Sequence, residues 1–135
     1  MTIVVCMDIQ GGVLFNKRRV SSDRLLIDDL LQLIAGQRIC LRPNTAKLFP
    51  AEANLRITET CVDDVLQDEV LFLEEAVSDH LLNNADKLIL YHWNRAYPSD
   101  VRFPKETLSD RWKLESSVDF SGNSHERITR EVYVR

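Results

Sequence analysis

Glycine is scarce in this chain, with 4 residues in 135, where average usage near 7% would give about nine. Loops that cradle phosphates need glycine, because the backbone must approach the ligand closely and adopt positive φ angles. The sequence also has no Gly-x-Gly-x-x-Gly, Walker, Gly-x-Ser-x-Gly or His-Glu-x-x-His motif. These absences argue against the common nucleotide-binding, α/β-hydrolase and metalloprotease sites.

The chain also has few cysteines, no net positive charge and no long apolar run. The 3 cysteines lie far apart in the sequence, which predicts free thiols and a reducing, cytoplasmic setting. The net charge of −4 gives no global footprint for nucleic acid or an anionic membrane. No apolar run approaches the roughly 20 residues of a membrane-spanning helix, and the 3 histidines lack metal-ligand spacing. We therefore expect a cytoplasmic protein with no metal site, no membrane partner and no nucleic-acid partner.

The apolar pattern is typical of a single α/β domain over residues 1–135. Continuous apolar runs predict buried central strands, alternating runs predict an antiparallel pair, and helical spacing predicts two helices. The predicted strands are 2–7, 38–41, 54–58, 70–73, 87–93, 112–118 and 128–134. The predicted helices are 22–35, capped by Ser22, and 74–84, with a helical turn at 44–49. This order predicts three layers: a central, mostly parallel sheet, an antiparallel C-terminal edge and flanking helices.

The same pattern assigns faces to the helices. In the first helix, the apolar stripe predicts that Asp28 and Asp29 face water. In the second helix, Ala76 and His80 belong to the predicted inner stripe. His125 follows the polar loop 121–124, so we predict that it belongs to a turn between the last two strands.

The C-terminal half carries a recognisable series of motifs. It contains Ala85-Asp86-Lys87-Leu88, an acid three residues before Phe103-Pro104, a strand around Trp112 and a final Val132-Tyr133-Val134-Arg135. Together with the apolar first strand and the glycines after it, this series resembles dihydrofolate reductase. The similarity covers nearly the whole chain, which is shorter than is typical of that family. The resemblance implies the dihydrofolate reductase-like fold, and for the family it implies reduction of dihydrofolate by NADPH.

The resemblance implies two phosphate-binding segments, and both are changed here. The family has a glycine pair directly after its central strand, where this chain has Glu74 and Glu75, which we expect to begin a helix. The family's Gly-Arg-x-Thr step after the second strand reads Arg42-Pro43-Asn44-Thr45, so only Thr45 is retained. Acidic side chains and a proline without an N–H replace backbone donors. We therefore expect no cofactor, and NADP belongs only to the alternative of a divergent reductase.

The substrate side of the resemblance is altered as well. The acid on the family's first long helix falls on Ile27 or on Asp28, depending on a one-residue choice of register. Asp23 and Asp28 are the candidate catalytic acids of a pterin reductase, for which an apolar pocket would suitably raise a carboxyl pKa. The threonine that backs the family's acid falls on Tyr91, whose larger side chain would fill part of the pocket.

A basic loop is the positive feature of the sequence. Lys17, Arg18 and Arg19 are consecutive and lie where the resembling family has the loop over its active site. Arg24 and Arg42 extend this set of candidate ligand-binding residues, which would attract phosphate or carboxylate. A solvated basic loop is the alternative interpretation.

Several hypotheses about function follow from these residues. The leading one is a dihydrofolate reductase-like protein that lacks NADPH-dependent reduction of dihydrofolate and binds a small anion or acts as an interaction module. A divergent reductase of a pterin or pyrimidine requires Asp23 or Asp28 to point into an open cleft. A phosphodiester hydrolase requires two of the histidines close to an arginine. Homodimerisation also stays open.

Overall fold

The computed structural model describes residues 1–108 and 111–135, apart from the side chain of Thr107. In chain order the strands are β1 (Thr2–Met7), β2 (Gly12–Phe15), β3 (Arg18–Arg19), β4 (Ile39–Leu41), β5 (Leu55–Ile57), β6 (Val70–Leu73), β7 (Lys87–His92), β8 (Val101–Arg102), β9 (Lys113–Phe120) and β10 (Ile128–Val134). The helices are α1 (Arg24–Ile34), α2 (Pro43–Ala46), α3 (Cys61–Asp64) and α4 (Asp79–Asn84), and a 3-10 turn covers Lys105–Leu108.

The main sheet has seven strands in the order β5-β4-β6-β1-β7-β10-β9. Strands β5, β4, β6, β1 and β7 run parallel to one another, whereas β10 is antiparallel to both β7 and β9. This arrangement confirms the predicted α/β fold with a parallel centre and an antiparallel C-terminal edge. The predicted strands at 2–7, 70–73 and 128–134 are confirmed to the residue.

The central strands are buried on both faces of the sheet, which explains their continuous apolar sequences. In β1, Ile3 and Val5 belong to one apolar core, and Val4 belongs to the core on the opposite face. Helix α1 packs on the second face through Leu26 and Leu30. The alternation along one strand therefore builds both halves of the interior.

The N-cap of α1 is Asp23, one residue after the predicted cap Ser22, and the helix begins at Arg24. The Asp23 carboxylate accepts the Leu25 N–H at 2.9 Å. Asp28 is exposed, as predicted. The prediction that Asp29 faces water is wrong, since its carboxylate accepts hydrogen bonds from Tyr91 and Arg130.

The second predicted helix is wrong over its first five residues. Helix α4 spans only Asp79–Asn84, and the Ser78 hydroxyl caps it by accepting the Leu81 N–H at 3.2 Å. Ala76 and His80, predicted to face inward, are exposed. Glu74 and Glu75 therefore follow β6 in an irregular segment instead of starting a helix.

A small second sheet was not predicted from the sequence. It has the order β3-β2-β8, and its strands contain only two to four residues. Asn16 and Lys17 form the β2–β3 turn with φ angles of 54° and 64°, the left-handed conformation that tight hairpin turns need. The whole basic loop thus belongs to a hairpin, with Lys17 at its tip and Arg18 and Arg19 in β3.

The last two expectations from the sequence concern the cysteines and membrane-spanning segments. Cys40 and Cys61 are buried, Cys6 is half-buried, and all three are free thiols, as predicted. In the two stretches that the structure describes, no helix has the length and apolar character to span a bilayer.

Candidate functional site

The carboxyl ends of β4 and β6 open onto a cleft with a volume of about 200 Å³. Arg42 follows β4, and Glu74 and Glu75 follow β6. The β2–β3 hairpin contributes Lys17 and Arg19 to the opposite part of the lining. Ligands of open α/β sheets commonly bind beyond the carboxyl ends of the parallel strands, so this cleft is the first candidate site.

The carboxylate of Glu74, which directly follows β6, binds Arg19 of the β2–β3 hairpin inside this cleft. Arg19 donates to both oxygens of Glu74, from Nε at 2.6 Å and from Nη2 at 2.9 Å. The Thr45 hydroxyl donates to the same carboxylate at 2.9 Å. The hydrogen bond that Arg19 donates to Glu74 raises the pKa of Arg19 above its ordinary value. Both Thr45 and Arg19 are therefore bound to an anion of the protein's own chain.

A second ion pair repeats this arrangement at the end of β4. Arg42 donates from Nε at 2.5 Å and from Nη2 at 3.0 Å to the two oxygens of Glu75. Its remaining Nη1 donates to the backbone carbonyl of Glu59. The two glutamates are thus partners of arginines, which corrects the prediction that they satisfy a helix start.

The candidate basic residues are only partly brought together. Arg19, Arg42 and Lys17 line the cleft, and within the described part of the chain Lys17 has no ion-pair or hydrogen-bond partner. Arg18 lines an open groove of about 500 Å³ beside the hairpin. Arg24 is exposed and lies 3.5 Å from the Asn123 side chain. The structure therefore places four of the five on two surfaces, the cleft and the groove, and leaves Arg24 outside both.

The position of the family's acid is apolar in this structure. Ile27 is buried and lines a small cavity of about 20 Å³, whereas Asp28 lies on the exposed side of α1. Tyr91 is fully buried, and its hydroxyl donates to Asp29 at 2.6 Å. Burial, followed by the bond to Asp29, raises the pKa of Tyr91 above its ordinary value. Neither candidate register places a free carboxylate of α1 beside Tyr91.

Asp23 is buried and forms the centre of a polar cluster. Besides the Leu25 N–H, its carboxylate accepts the backbone N–H groups of Asn123 and Ser124 at 2.8 and 2.9 Å. It also lies 2.9 Å from Nδ1 of His125. Burial opposes ionisation, but these hydrogen bonds outweigh it and lower the pKa of Asp23 below its ordinary value. The candidate acid Asp23 is therefore a bound carboxylate.

His125 lies in the connection between β9 and β10, as predicted, but it is also a buried member of this cluster. Its Nε2 lies 2.9 Å from the Ser21 hydroxyl and 2.8 Å from the Tyr97 hydroxyl. The imidazole stacks on Trp93 with 4.5 Å between ring centroids. Sequence reasoning missed the cluster because its members lie about a hundred residues apart and form no local motif. The loop around residue 125 has a polar sequence, so no run of apolar residues predicted that it would be buried.

The other histidines have separate partners. His80 is exposed beside Asn84, and His92 lies 2.5 Å from Glu131. Over residues 1–108 and 111–135, no group of three or more His, Cys, Asp and Glu side chains is placed to hold a metal ion.

Comparison with known proteins identifies the fold. A scan of family models and a search of curated proteins found no match. Among solved structures, the chain is similar to a dihydrofolate reductase from Enterococcus faecalis complexed with NADP(H) and RAB-propyl, with a TM-score of 0.67 and 12% sequence identity. The match covers 99% of this chain and 95% of that one. The chain therefore has the dihydrofolate reductase-like fold that its sequence motifs predicted.

Proposed function

We propose that the protein is a binding module that does not use NADPH and that takes a small anion in the cleft between β4, β6 and the β2–β3 hairpin. The observation that carries this proposal is the pair of ion pairs, Arg19–Glu74 and Arg42–Glu75. The similar enzyme from Enterococcus faecalis was solved with NADP(H). In this chain, the groups that would meet cofactor phosphates hold carboxylates instead.

A cofactor phosphate would have to displace these internal anions. Bidentate arginine–carboxylate pairs are among the strong charge-assisted hydrogen bonds. Breaking both pairs would also leave Glu74 and Glu75 facing the entering phosphate at close range. The electrostatic free energy therefore opposes a dinucleotide at this site.

A smaller anion fits the charge and the size of the cleft. The charged lining residues are Lys17, Arg19, Arg42, Glu74 and Glu75, which together carry one net positive charge. The Lys17 ammonium is exposed at the hairpin tip and is the cation of this lining without an internal partner in the described structure. The volume of about 200 Å³ is below the range of about 300–1,000 Å³ typical of sites for drug-sized ligands. We therefore assign the cleft to a phosphate- or carboxylate-sized group held by Lys17.

Calorimetric titration tests this proposal, with inorganic phosphate and NADPH as the two probes. We expect phosphate to bind, Lys17→Ala to abolish that binding, and NADPH to show no micromolar affinity. Lys113→Ala is the matched control, because Lys113 is an exposed lysine at the far edge of the sheet. Micromolar NADPH binding with hydride transfer to dihydrofolate would contradict the proposal. If the Lys17→Ala variant bound phosphate as tightly as the wild type, the assignment of the anion to Lys17 would be contradicted.

A further inference from the structure

Ser21, His125 and Asp23 form a hydrogen-bonded relay at the start of α1. The Ser21 Oγ is 2.9 Å from His125 Nε2, and His125 Nδ1 is 2.9 Å from Asp23 Oδ2. These are the separations expected when a nucleophile contacts a base and a third group orients that base. The side chains of Asp23 and His125 are 0% and 2% exposed, so both are fixed by packing.

The orientation of the imidazole follows from its two neighbours. The Asp23 carboxylate has no proton to donate, so it accepts the Nδ1–H of His125. This tautomer leaves the Nε2 lone pair directed at the hydroxyls. Three backbone N–H groups hold the same carboxylate, and Trp93 stacks on the ring. Nε2 is therefore positioned to take a hydroxyl proton.

A cavity of about 20 Å³ lies directly beside the relay. Ser21, Asp23, Ile27 and Trp93 all line it. Trp93 is 3% exposed, and its Nε1–H is one of two buried polar side-chain atoms without a hydrogen-bond partner in the described structure. A buried donor without a partner is costly, so it favours a ligand that brings an acceptor oxygen. The residue with the base-bound hydroxyl and the residue with the unpaired donor thus line the same cavity.

We propose that Ser21 is a nucleophile that hydrolyses small carboxylic esters, with His125 as its base, Asp23 as the positioning residue and the Trp93 indole N–H as the donor to the carbonyl oxygen. The Ser21 oxygen forms a bond to the acyl carbon while its proton passes to His125 Nε2. The bond from the acyl carbon to the leaving oxygen then breaks, and that proton passes to the leaving alcohol. A water molecule attacks the acyl-serine, gives its proton to His125, and Ser21 regains this proton as the carboxylic acid leaves.

The surroundings of the relay define the class of ester. The cavity beside Ser21 limits the acyl group to one no larger than acetyl, because its volume of about 20 Å³ is little more than one water needs. The open groove of about 500 Å³ adjoins the relay through Val20 and Pro98, which precede Ser21 and follow Tyr97 in the chain. This groove also contains Phe15, whose side chain is 46% exposed. Asn16, Arg18 and Arg19 line the groove beside Phe15. A short acyl group on an aromatic alcohol, whose ring can pack on Phe15 and on a guanidinium group, fits both spaces.

Tyr97 is a competitor for the same lone pair. Its hydroxyl lies 2.8 Å from His125 Nε2, and only one of the two hydroxyls donates to that nitrogen at a time. Removing the Tyr97 hydroxyl leaves Nε2 entirely to Ser21. A cluster that only supports the fold would lose stability from this change and would gain no reactivity.

The test uses diisopropyl fluorophosphate on the wild-type protein, followed by tandem mass spectrometry of the labelled peptide. We expect one residue, Ser21, to carry a diisopropylphosphoryl group after displacement of fluoride, and we expect turnover of p-nitrophenyl acetate. An unmodified protein, or an adduct on Ser22 or any other residue, would overturn the proposal whether or not any variant folds.

Three variants and one control then measure the roles. Ser21→Ala should lower the rate of p-nitrophenyl acetate hydrolysis at least about 100-fold, and Trp93→Phe should lower it about 10- to 100-fold. Tyr97→Phe should raise it about two- to tenfold, the equivalent of one neutral hydrogen bond. Ser117→Ala, on the exposed strand β9, should leave it unchanged. An unchanged rate in Ser21→Ala, or a lower rate in a folded Tyr97→Phe protein, would contradict the assigned roles.

Discussion

Glu69 is a buried carboxylate whose charge is held by two arginines. Its side chain is 1% exposed, and it accepts from Arg56 Nη2 at 2.7 Å, from Arg38 Nε at 2.7 Å and from the Leu66 N–H. The Arg56 hydrogen bond is the main cause that lowers the pKa of Glu69 to about 2, from 4.5, against the opposing effect of burial. Protonation of Glu69 removes the negative charge that pairs with Arg38 and Arg56.

We expect this carboxylate to contribute to the acid sensitivity of the fold. Because the folded pKa is below the unfolded value, Glu69 contributes stability that is complete above pH 4.5 and is lost as the pH falls towards about 2. Glu69→Gln should cost about 1–2 kcal/mol at neutral pH, because it removes the charged partner of two half-exposed arginines. It should also flatten the loss of stability in acid.

Urea unfolding at a series of pH values measures both effects. Glu52→Gln serves as the control, because Glu52 is exposed and has no partner in the described chain. A Glu69→Gln protein with the same acid dependence as wild type would contradict this assignment.

Gly122 is required by close packing around Asp23. A Cβ added there would lie 2.6 Å from Asp23 Oδ2 and 2.8 Å from Ile128 Cδ1, distances that real side chains do not adopt. We expect Gly122→Ala to lower the free energy of unfolding by about 1–3 kcal/mol, the usual cost of overpacking. Thermal unfolding measures it, with the exposed neighbour Ser121→Ala as control. Equal melting temperatures for the two variants would contradict the close packing.

Helical periodicity predicts the environment of Asp28 but not that of Asp29. Asp28 is exposed as predicted, because its environment is decided by α1 alone. Asp29 is not, because its partners Tyr91 and Arg130 come from β7 and β10. Periodicity gives the phase of a helix surface, but it contains no information about which distant strand passes over that surface.

At the scale of elements, the long strands were predictable and the short ones were not. The apolar runs of β1 and β6 are recognisable as strands in the sequence, because both faces of these strands are buried. Strands β3 and β8 have two residues each, too few for a periodic pattern. The start of α4 was misplaced because acids favour a helix N-terminus locally. Here Arg19 and Arg42, which are distant in sequence, bind those acids instead.

The acidic segment after β6 gives a prediction for the cleft. Glu74→Gln combined with Glu75→Gln removes two negative charges and releases Arg19 and Arg42 from their ion pairs. We expect phosphate affinity in calorimetry to rise about tenfold at low salt, since each exposed or half-exposed pair is worth up to about 1 kcal/mol. The control is Glu52→Gln combined with Glu115→Gln, two exposed acids outside the cleft. Unchanged affinity in the Glu74 and Glu75 double variant would show that Lys17 binds phosphate without the arginines.

At the scale of the whole molecule, one sheet separates two apolar cores. Trp112 belongs to the core that contains Ile3 and Leu88, and Trp93 belongs to the core that contains Val4 and Phe72. The sequence predicted three layers, because runs buried on both sides require packing on both faces. It did not predict which tryptophan lies on which face, because the crossovers that decide this are longer than any local pattern.

We propose that residues 1–135 form one folding unit, and the two tryptophans test this directly. Trp93→Phe leaves Trp112 as the fluorophore of one core, and Trp112→Phe leaves Trp93 as the fluorophore of the other. Because both cores share β1, neither can unfold while the other stays packed, so small single domains of this kind unfold in one step. In each variant we expect the fluorescence melt to coincide with the melt of backbone circular dichroism. If the fluorescence of either tryptophan changes at a lower temperature than the circular dichroism, the two faces unfold separately. A melting temperature that rises with protein concentration would instead indicate that the unit is a homodimer, because association stabilises the folded state by mass action.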